Sequence, residues 1–194
     1  DKYRAIGEPH PFLVANGREF LVPFAHEHFE LWTQSLHFGA KDRLNFVDPK
    51  TNLKVGGGLD DVWLNINTNC LHIVDYKSTS QKSDKGPITL DDPWKASYKR
   101  QMDLYVWVLR KKGFHVDDVG YFLYCDGDRF SDYDFLSSTT ASMNFKITLI
   151  DYKTNDTWIE PTLQDISECL NESKRPQHSD YCEYGKFLTQ SLNQ

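Results

Sequence analysis

The sequence predicts a mixed α/β fold in which helices flank a central β-sheet. Residues 55–66 and 71–77 have the pattern of two β-strands, and the polar turn Asn67-Thr68-Asn69 between them indicates a hairpin. Residues 94–112 form the clearest helical pattern, because apolar and aromatic side chains repeat on one side. Strand patterns on both sides of a long helix are typical of a sheet that helices cover.

The other elements follow from weaker patterns. Residues 9–24 are apolar but are interrupted by two prolines and a glycine, which predicts short strands or an entry loop. Residues 26–37 place large apolar side chains at helical spacing and predict a short amphipathic helix. Residues 78–93 have loop composition, and Gly113 ends the long helix. The remaining chain predicts a strand, a second strand and a helix, at residues 119–125, 144–150 and 157–170.

Length and composition indicate a folded single domain spanning residues 1–194. The chain has 194 residues, of which 39% are hydrophobic and 14% aromatic, enough to bury a core and unlike a disordered segment. The formal net charge of −6 weakens a nucleic-acid interpretation without excluding it, because a local cleft can differ from the whole surface. The chain starts at Asp1 rather than Met, which is consistent with an excised piece that lacks upstream residues.

The four cysteines are widely separated and form no Cys-x-x-Cys pair, so we expect a reducing, cytoplasmic location rather than a disulfide framework. No apolar run is long enough to span a membrane, and we expect no membrane partner.

Two acids and a lysine are the candidate site. Asp60 follows three glycines at 56–58, and Asp75 and Lys77 share one face of the next strand because strand side chains alternate. Hairpin pairing would bring Asp60 close to Asp75. A surface salt bridge is the simplest alternative, but the glycines allow close approach of a ligand. Two acids at the end of a buried sheet favour a divalent metal with oxygen ligands.

Three segments in order resemble the PD-(D/E)XK nuclease superfamily, in the RecB-like branch that includes the exonucleases of CRISPR adaptation. They are Gly57-Gly58-Leu59-Asp60, then Asp75-Tyr76-Lys77, then a helix with Gln101 and Tyr105 four residues apart. The resemblance spans roughly residues 26–182 and implies a restriction-endonuclease-like core, with a mixed sheet between helices. It also implies a Mg²⁺- or Mn²⁺-dependent deoxyribonuclease.

The resemblance implies a role for each residue of the site. Asp60, Asp75 and the Tyr76 backbone carbonyl would ligate the metal, and Lys77 would orient the water or stabilise the transition state. Asp61 competes with Asp60, but the motif places the acid directly after the apolar residue, and Asp61 would face the other side of the strand.

RecB-like nucleases also have an upstream metal-binding histidine. His26 and His28 are the candidates, with His37 the weaker third, and a capping or surface role is an equal alternative for either of the first two. We favour His26. Residues two apart do not share a helical face, so one of the pair is expected to take part.

Gln101 and Tyr105 lie on one face of the long helix, and the resemblance places them beside the catalytic cleft. Lys99 and Arg100, just before them, are expected to meet phosphates, with a solvated helix end as the equal alternative.

Many RecB-like exonucleases hold an iron–sulfur cluster. Here Cys182 is followed three residues later by Gly185, where a second thiolate would stand, and no cysteine precedes Cys70. We therefore expect no cluster in this chain.

The sequence therefore predicts a metal-dependent nuclease that acts on DNA, with single strands or ends as its preferred form. A catalytically silent nucleic-acid-binding module on the same fold is the alternative, and an unrelated α/β protein is a second. The intact Asp60, Asp75 and Lys77 set argues against a silent module.

Overall fold

The computed structural model describes residues 2–34, 43–81, 86–129, 137–174 and 176–192. Its elements in chain order are α1 (Lys2–Ile6), α2 (Pro11–Ala15), β1 (Leu21–Pro23), α3 (Phe29–Trp32), β2 (Asn45–Val47), β3 (Lys54–Gly56), β4 (Asp61–Asn65), β5 (Cys70–Thr79), a 3₁₀ turn (Pro93–Lys95), α4 (Ala96–Lys111), β6 (Val119–Gly127), β7 (Phe145–Lys153), α5 (Ile159–Asn171) and α6 (Glu183–Leu192). Among these residues no helix is both long and apolar enough to cross a membrane.

Five strands form the central sheet in the order β1-β4-β5-β6-β7. The β4–β5 hairpin is antiparallel, whereas β5 pairs with β6 in parallel, and α4 makes the crossover between them. The predicted mixed α/β fold with helices around a mixed sheet is confirmed. Strand β5 has a neighbour on each edge, so the strand that carries Asp75 and Lys77 is held on both sides.

The two faces of the sheet pack against different elements. One face, which we call the α4 face, forms the larger core, where β5 and β6 contribute Ile73 and Phe122 and α4 contributes Met102 and Tyr105. The opposite face, which we call the α2 face, buries Val74 and Tyr121 with Leu13 from α2. Successive residues of β5 therefore point into different cores.

The long helix is confirmed close to its predicted limits. The 3₁₀ turn Pro93–Lys95 leads into α4, and Gly113 has a φ of +91°, which a residue with a side chain rarely adopts. The Gly113 N–H donates to the Arg110 carbonyl at 2.9 Å, and the Phe114 N–H donates to the Leu109 carbonyl at 3.1 Å. These two hydrogen bonds are a Schellman ending, as the glycine predicted.

The prediction of one strand over residues 55–66 is wrong. The chain leaves β3, which pairs with β2 in a separate two-stranded sheet, and enters the central sheet only at Asp61. Backbone hydrogen bonding is the reason, because the Gly57 N–H donates to the Leu44 carbonyl at 3.1 Å and the Leu59 N–H to the Trp32 carbonyl at 2.8 Å instead of to the central sheet. Strand β5 also runs past its predicted end to Thr79, because its pairing with β6 continues there.

The helix predicted over residues 26–37 is only partly observed. Within the described residues it covers Phe29–Trp32, and its predicted end, including His37, lies outside them. The segment 9–24 contains β1 but also α2, a helix that the sequence analysis missed. Pro11 at the first helical position and the His10 side chain, which accepts from the Phe12 N–H at 3.1 Å, are the signals that indicate it.

Candidate active site

The β4–β5 register brings the two predicted acids together. Asp61 pairs with Val74, so Asp60, just before β4, lies opposite the level of Asp75. The Tyr76 N–H donates to Asp60 Oδ2 at 2.8 Å, which fixes the exposed carboxylate against β5. The Asp60 charge is near enough to raise the pKa of Asp75, so the two carboxylates lie close to each other.

Asp75 is buried and its charge is incompletely matched. Its side chain is 5% exposed, and Lys77 Nζ lies 2.5 Å from its Oδ2. Among the described residues this buried oxygen has no partner besides the Lys77 ammonium, with which it forms an ion pair. Burial raises the pKa of Asp75 and the Asp60 charge adds to this, while Lys77 opposes it. A hard cation would give this buried carboxylate a second partner of opposite charge.

Tyr76 presents its backbone and its side chain to different groups. The N–H and C=O of one strand residue point to the same side, and the Tyr76 N–H points towards Asp60. Its carbonyl oxygen therefore points towards β4, the side on which Asp60 lies, and its role as a metal ligand remains a prediction. The Tyr76 hydroxyl instead donates to Asp61 Oδ2.

Asp61 lies on the α2 face, away from Asp75. Besides the Tyr76 hydroxyl, its carboxylate accepts hydrogen bonds from Arg4, the Val62 N–H and the Trp63 indole. The Arg4 guanidinium also lies over the Phe29 ring. These four donors occupy Asp61, whereas Asp75 has, among the described residues, Lys77 as its one partner. The sequence analysis missed Arg4, because its neighbour in space is 57 residues away along the chain.

Helix α4 completes one side of the site. Gln101 Nε2 donates to the Tyr105 hydroxyl at 3.0 Å, and a Cβ on Gly57 would lie 2.5 Å from the Tyr105 ring. Burial raises the pKa of Tyr105, and the charges of Asp75 and Asp60 raise it further. Tyr105 therefore packs on the glycine turn before Asp60, beside both acids.

The first turns of α4 also approach Lys77. The Lys77 ammonium lies 4.4 Å from the centre of the Tyr98 ring, a cation–π contact. Lys99, half-buried, and Arg100, exposed, follow Tyr98 on the helix. Their proposed phosphate contacts remain predictions.

His26 lies in an aromatic cluster. Its ring stacks on Trp32 at 4.4 Å and meets Phe114 edge-on at 5.4 Å, and its Nδ1 accepts from the His28 N–H. His28 is exposed at the start of α3. Within the part of the chain that the structure describes, no three His, Cys, Asp or Glu side chains are grouped to hold a metal. The structure thus brings Asp60 and Asp75 together without a histidine, and His26 as a ligand remains a prediction.

The cysteines are dispersed over the fold. Cys182 lies beside His178, with 3.5 Å between Sγ and Nδ1, and accepts from the Gly185 N–H. Cys70 and Cys125 lie on strands of the sheet, and Cys169 is exposed on α5. Whether the chain binds an iron–sulfur cluster remains a matter of prediction.

Comparison with known proteins identifies the family. The model of the PD-(D/E)XK nuclease superfamily matches residues 14–186, which include the hairpin and α4. The chain matches no curated protein and no solved structure. The five-stranded mixed sheet between helices agrees with the restriction-endonuclease-like core of that family. The family model matches most of the chain, and the fold and the paired carboxylates agree with it. The chain therefore belongs to the PD-(D/E)XK nuclease superfamily.

Proposed function

We propose that this chain is a divalent-metal-dependent deoxyribonuclease, an exonuclease of the RecB-like branch that serves DNA repair, recombination or defence. Membership of the superfamily supports a hydrolase that acts on phosphodiester bonds with a divalent metal. The observation that carries the proposal is the buried Asp75 carboxylate, which lies near the Asp60 charge and whose Oδ2 is paired, among the described residues, with the Lys77 ammonium alone.

The residues present fit a metal with oxygen ligands. Asp60, Asp75 and the Tyr76 carbonyl oxygen would hold Mg²⁺ or Mn²⁺, and water would complete the coordination. Such a metal lowers the pKa of a bound water and neutralises phosphate oxygens. His26 would add a nitrogen ligand if the loop before α3 carries it to the acids.

Lys77 would act on the scissile phosphate. Its ammonium is held beside Asp75 and over the Tyr98 ring, so its position is set before a substrate binds. A preorganised cation stabilises the charge that develops on phosphate oxygens in the transition state. Tyr105 and Gln101 would keep the glycine turn and Asp60 in place.

Cleavage of end-labelled single- and double-stranded DNA with Mg²⁺ or Mn²⁺ tests the proposal. We expect wild-type cleavage that EDTA stops, and a loss of about 10²–10³-fold in Lys77→Ala. Lys111→Ala, which removes a surface lysine paired with Glu160, is the matched control and should cleave normally. Equal cleavage by wild type and Lys77→Ala would overturn the mechanism, and metal-independent binding without cleavage would favour the silent binding module.

Cleavage products labelled at the 5′ or the 3′ end distinguish an exonuclease from an endonuclease. An exonuclease shortens the labelled strand progressively from one end, whereas an endonuclease produces internal fragments from the start. A matched RNA strand in the same assay tests the DNA preference.

A further inference from the structure

A cavity of about 410 Å³ opens beside Lys77 on the α4 face. Its walls come from the end of β5, the segment after it, the start of α4 and β6, and include Lys77, Thr79, Trp94, Lys95, Tyr98 and Tyr124. The volume is in the range of pockets that hold small ligands. Lys77 is the one residue of the proposed catalytic set that reaches it.

Two aromatic rings form its rim. Trp94 is 59% exposed, and its ring meets the Tyr98 ring edge-on at 5.5 Å. An exposed tryptophan beside a cavity offers a flat apolar surface on which a planar group can stack.

A buried lysine holds this rim in place. Lys95 is 4% exposed, and its ammonium donates to the Thr89 carbonyl at 2.6 Å and pairs with Asp92 at 2.8 Å. The Lys95 N–H also donates to the Asp92 carbonyl at 2.9 Å, which closes the 3₁₀ turn under Trp94. The tryptophan is therefore anchored before any ligand arrives.

The inner wall carries an unsatisfied hydroxyl. Tyr124 is 2% exposed, and its hydroxyl has no hydrogen-bond partner among the described residues. A buried hydroxyl without a partner destabilises a fold, so its presence in a cavity wall indicates a polar ligand atom. Burial raises the pKa of Tyr124 to about 12, so the hydroxyl keeps its proton and remains a donor at neutral pH.

The sheet register ties the cavity to the proposed chemistry. Lys77 pairs with Tyr124 across β5 and β6, so the two side chains lie next to each other on the α4 face. A ligand in the cavity that contacts Tyr124 therefore also lies beside Lys77, whose ammonium is assigned to the scissile phosphate.

We propose that this cavity, which we call the Trp94 pocket, binds the unpaired nucleobase adjacent to the scissile phosphate. Trp94 stacks on the base, and the Tyr124 hydroxyl donates to an acceptor on its edge. A base inside a duplex is stacked on both faces and paired along one edge, so it cannot enter the pocket. The pocket therefore selects single strands and frayed ends. The inference rests on the proposed nuclease function and specifies its substrate.

Binding of labelled oligonucleotides in EDTA tests the pocket without cleavage. The probes are an oligodeoxyuridylate and an oligouridylate of about twelve nucleotides, which share the base and differ in the sugar, and a blunt DNA duplex of the same length. We expect Trp94→Ala to raise Kd for the single strands about tenfold, or about 1.4 kcal/mol, with a smaller effect on the duplex. Tyr124→Phe should raise it about three- to tenfold without lowering the melting temperature, since the lost hydroxyl has no partner in the free chain.

Phe145→Ala is the matched control. Phe145 is 55% exposed and packs over Gly127 on the α2 face, so its removal should leave single-strand binding unchanged. An equal loss of single-strand binding in all three variants would indicate a nonspecific effect and would overturn the proposal that the Trp94 pocket binds a base. The two single-stranded probes show whether the sugar is read as DNA or RNA.

The failure of this inference and that of the nuclease proposal give different results. Trp94-dependent binding without cleavage in Mg²⁺ or Mn²⁺ would overturn the nuclease and leave the pocket standing. Lys77-dependent cleavage with single-strand binding unchanged in Trp94→Ala would overturn the pocket and leave the nuclease. Wild-type protein that binds neither single strand would overturn the pocket as well.

Discussion

The Tyr76 backbone N–H donates a 2.8 Å hydrogen bond to Asp60 Oδ2, so the strand that carries the buried acid also fixes the exposed one. Asp75 is placed by the strand itself, whereas Asp60 lies in the turn before β4 and is held against β5 by this hydrogen bond.

The neighbouring acids Asp60 and Asp61 should behave in opposite ways when changed to asparagine. Asp60→Asn removes an exposed charge and keeps an acceptor for Tyr76, so stability should change by less than about 0.5 kcal/mol, while the Mn²⁺-induced rise in melting temperature is lost. Asp61→Asn weakens the contacts with Arg4 and Trp63 and should cost about 2–4 kcal/mol, while the Mn²⁺ effect persists. Thermal melts with EDTA or Mn²⁺ measure both, and loss of the Mn²⁺ effect only in Asp61→Asn would reverse the assignment.

Without metal, Asp75 should reduce the stability of the chain at neutral pH. Its pKa is raised above the ordinary 3.8, so the charged form is less favourable in the folded than in the unfolded state. Asp75→Asn should therefore melt about 2–4 °C higher in EDTA, or roughly 1 kcal/mol, and show no Mn²⁺ effect.

The raised pKa of Asp75 also sets how the stability of the chain depends on pH. The stabilising contribution of protonated Asp75 is complete below 3.8 and is lost as the pH rises through its folded pKa, so the difference between Asp75→Asn and wild type should vanish on acidification. Asp151→Asn, at the surface pair with Arg18, controls for loss of a carboxylate elsewhere. A wild-type chain more stable than Asp75→Asn at neutral pH in EDTA would contradict this account.

We expect the Tyr76 carbonyl oxygen to bind the metal and the Tyr76 hydroxyl to stabilise the fold. Tyr76→Phe keeps the carbonyl oxygen and loses the hydrogen bond to Asp61, so we expect about 1 kcal/mol less stability and an unchanged Mn²⁺-induced shift. Denaturant unfolding and Mn²⁺ melts of the variant check the two halves separately. If Tyr76→Phe abolished the shift, the hydroxyl rather than the carbonyl would be implicated.

Gly57 and Tyr105 should be energetically coupled. A Cβ on Gly57 would lie 2.8 Å from the Tyr105 hydroxyl and 2.5 Å from its ring, so Gly57→Ala should cost about 1–3 kcal/mol. In a Tyr105→Ala background the same change meets no ring and should cost much less. A double-mutant cycle of unfolding free energies measures the coupling, and additive costs would show that the contact does not constrain the glycine turn.

Local patterns were enough to predict the elements that carry the site. The hairpin is closed by a short turn, so its register follows from neighbouring residues and brings Asp60 to Asp75. Gly113 marks the end of α4 through its own backbone conformation.

Contacts between distant segments were not predictable in this way. The parallel pairing that sets Tyr124 beside Lys77 depends on the α4 crossover, which no local pattern encodes. The pairing of Arg4 with Asp61 likewise depends on how α1 docks on the finished sheet. The split between β3 and β4 comes from backbone hydrogen bonds of Gly57 and Leu59 to other segments, which a strand-like composition does not reveal.

The alternation of β5 between two cores separates the effects of mutations along three consecutive residues. Asp75 and Lys77 point to the α4 face, and Tyr76 points to Asp61 on the other. A saturation scan of this stretch should therefore show a period of two, in which substitutions at 75 and 77 yield folded, inactive protein and those at 76 yield less protein of normal specific activity. Selection for the amount of folded protein and selection for catalysis would then act on alternate residues of one strand.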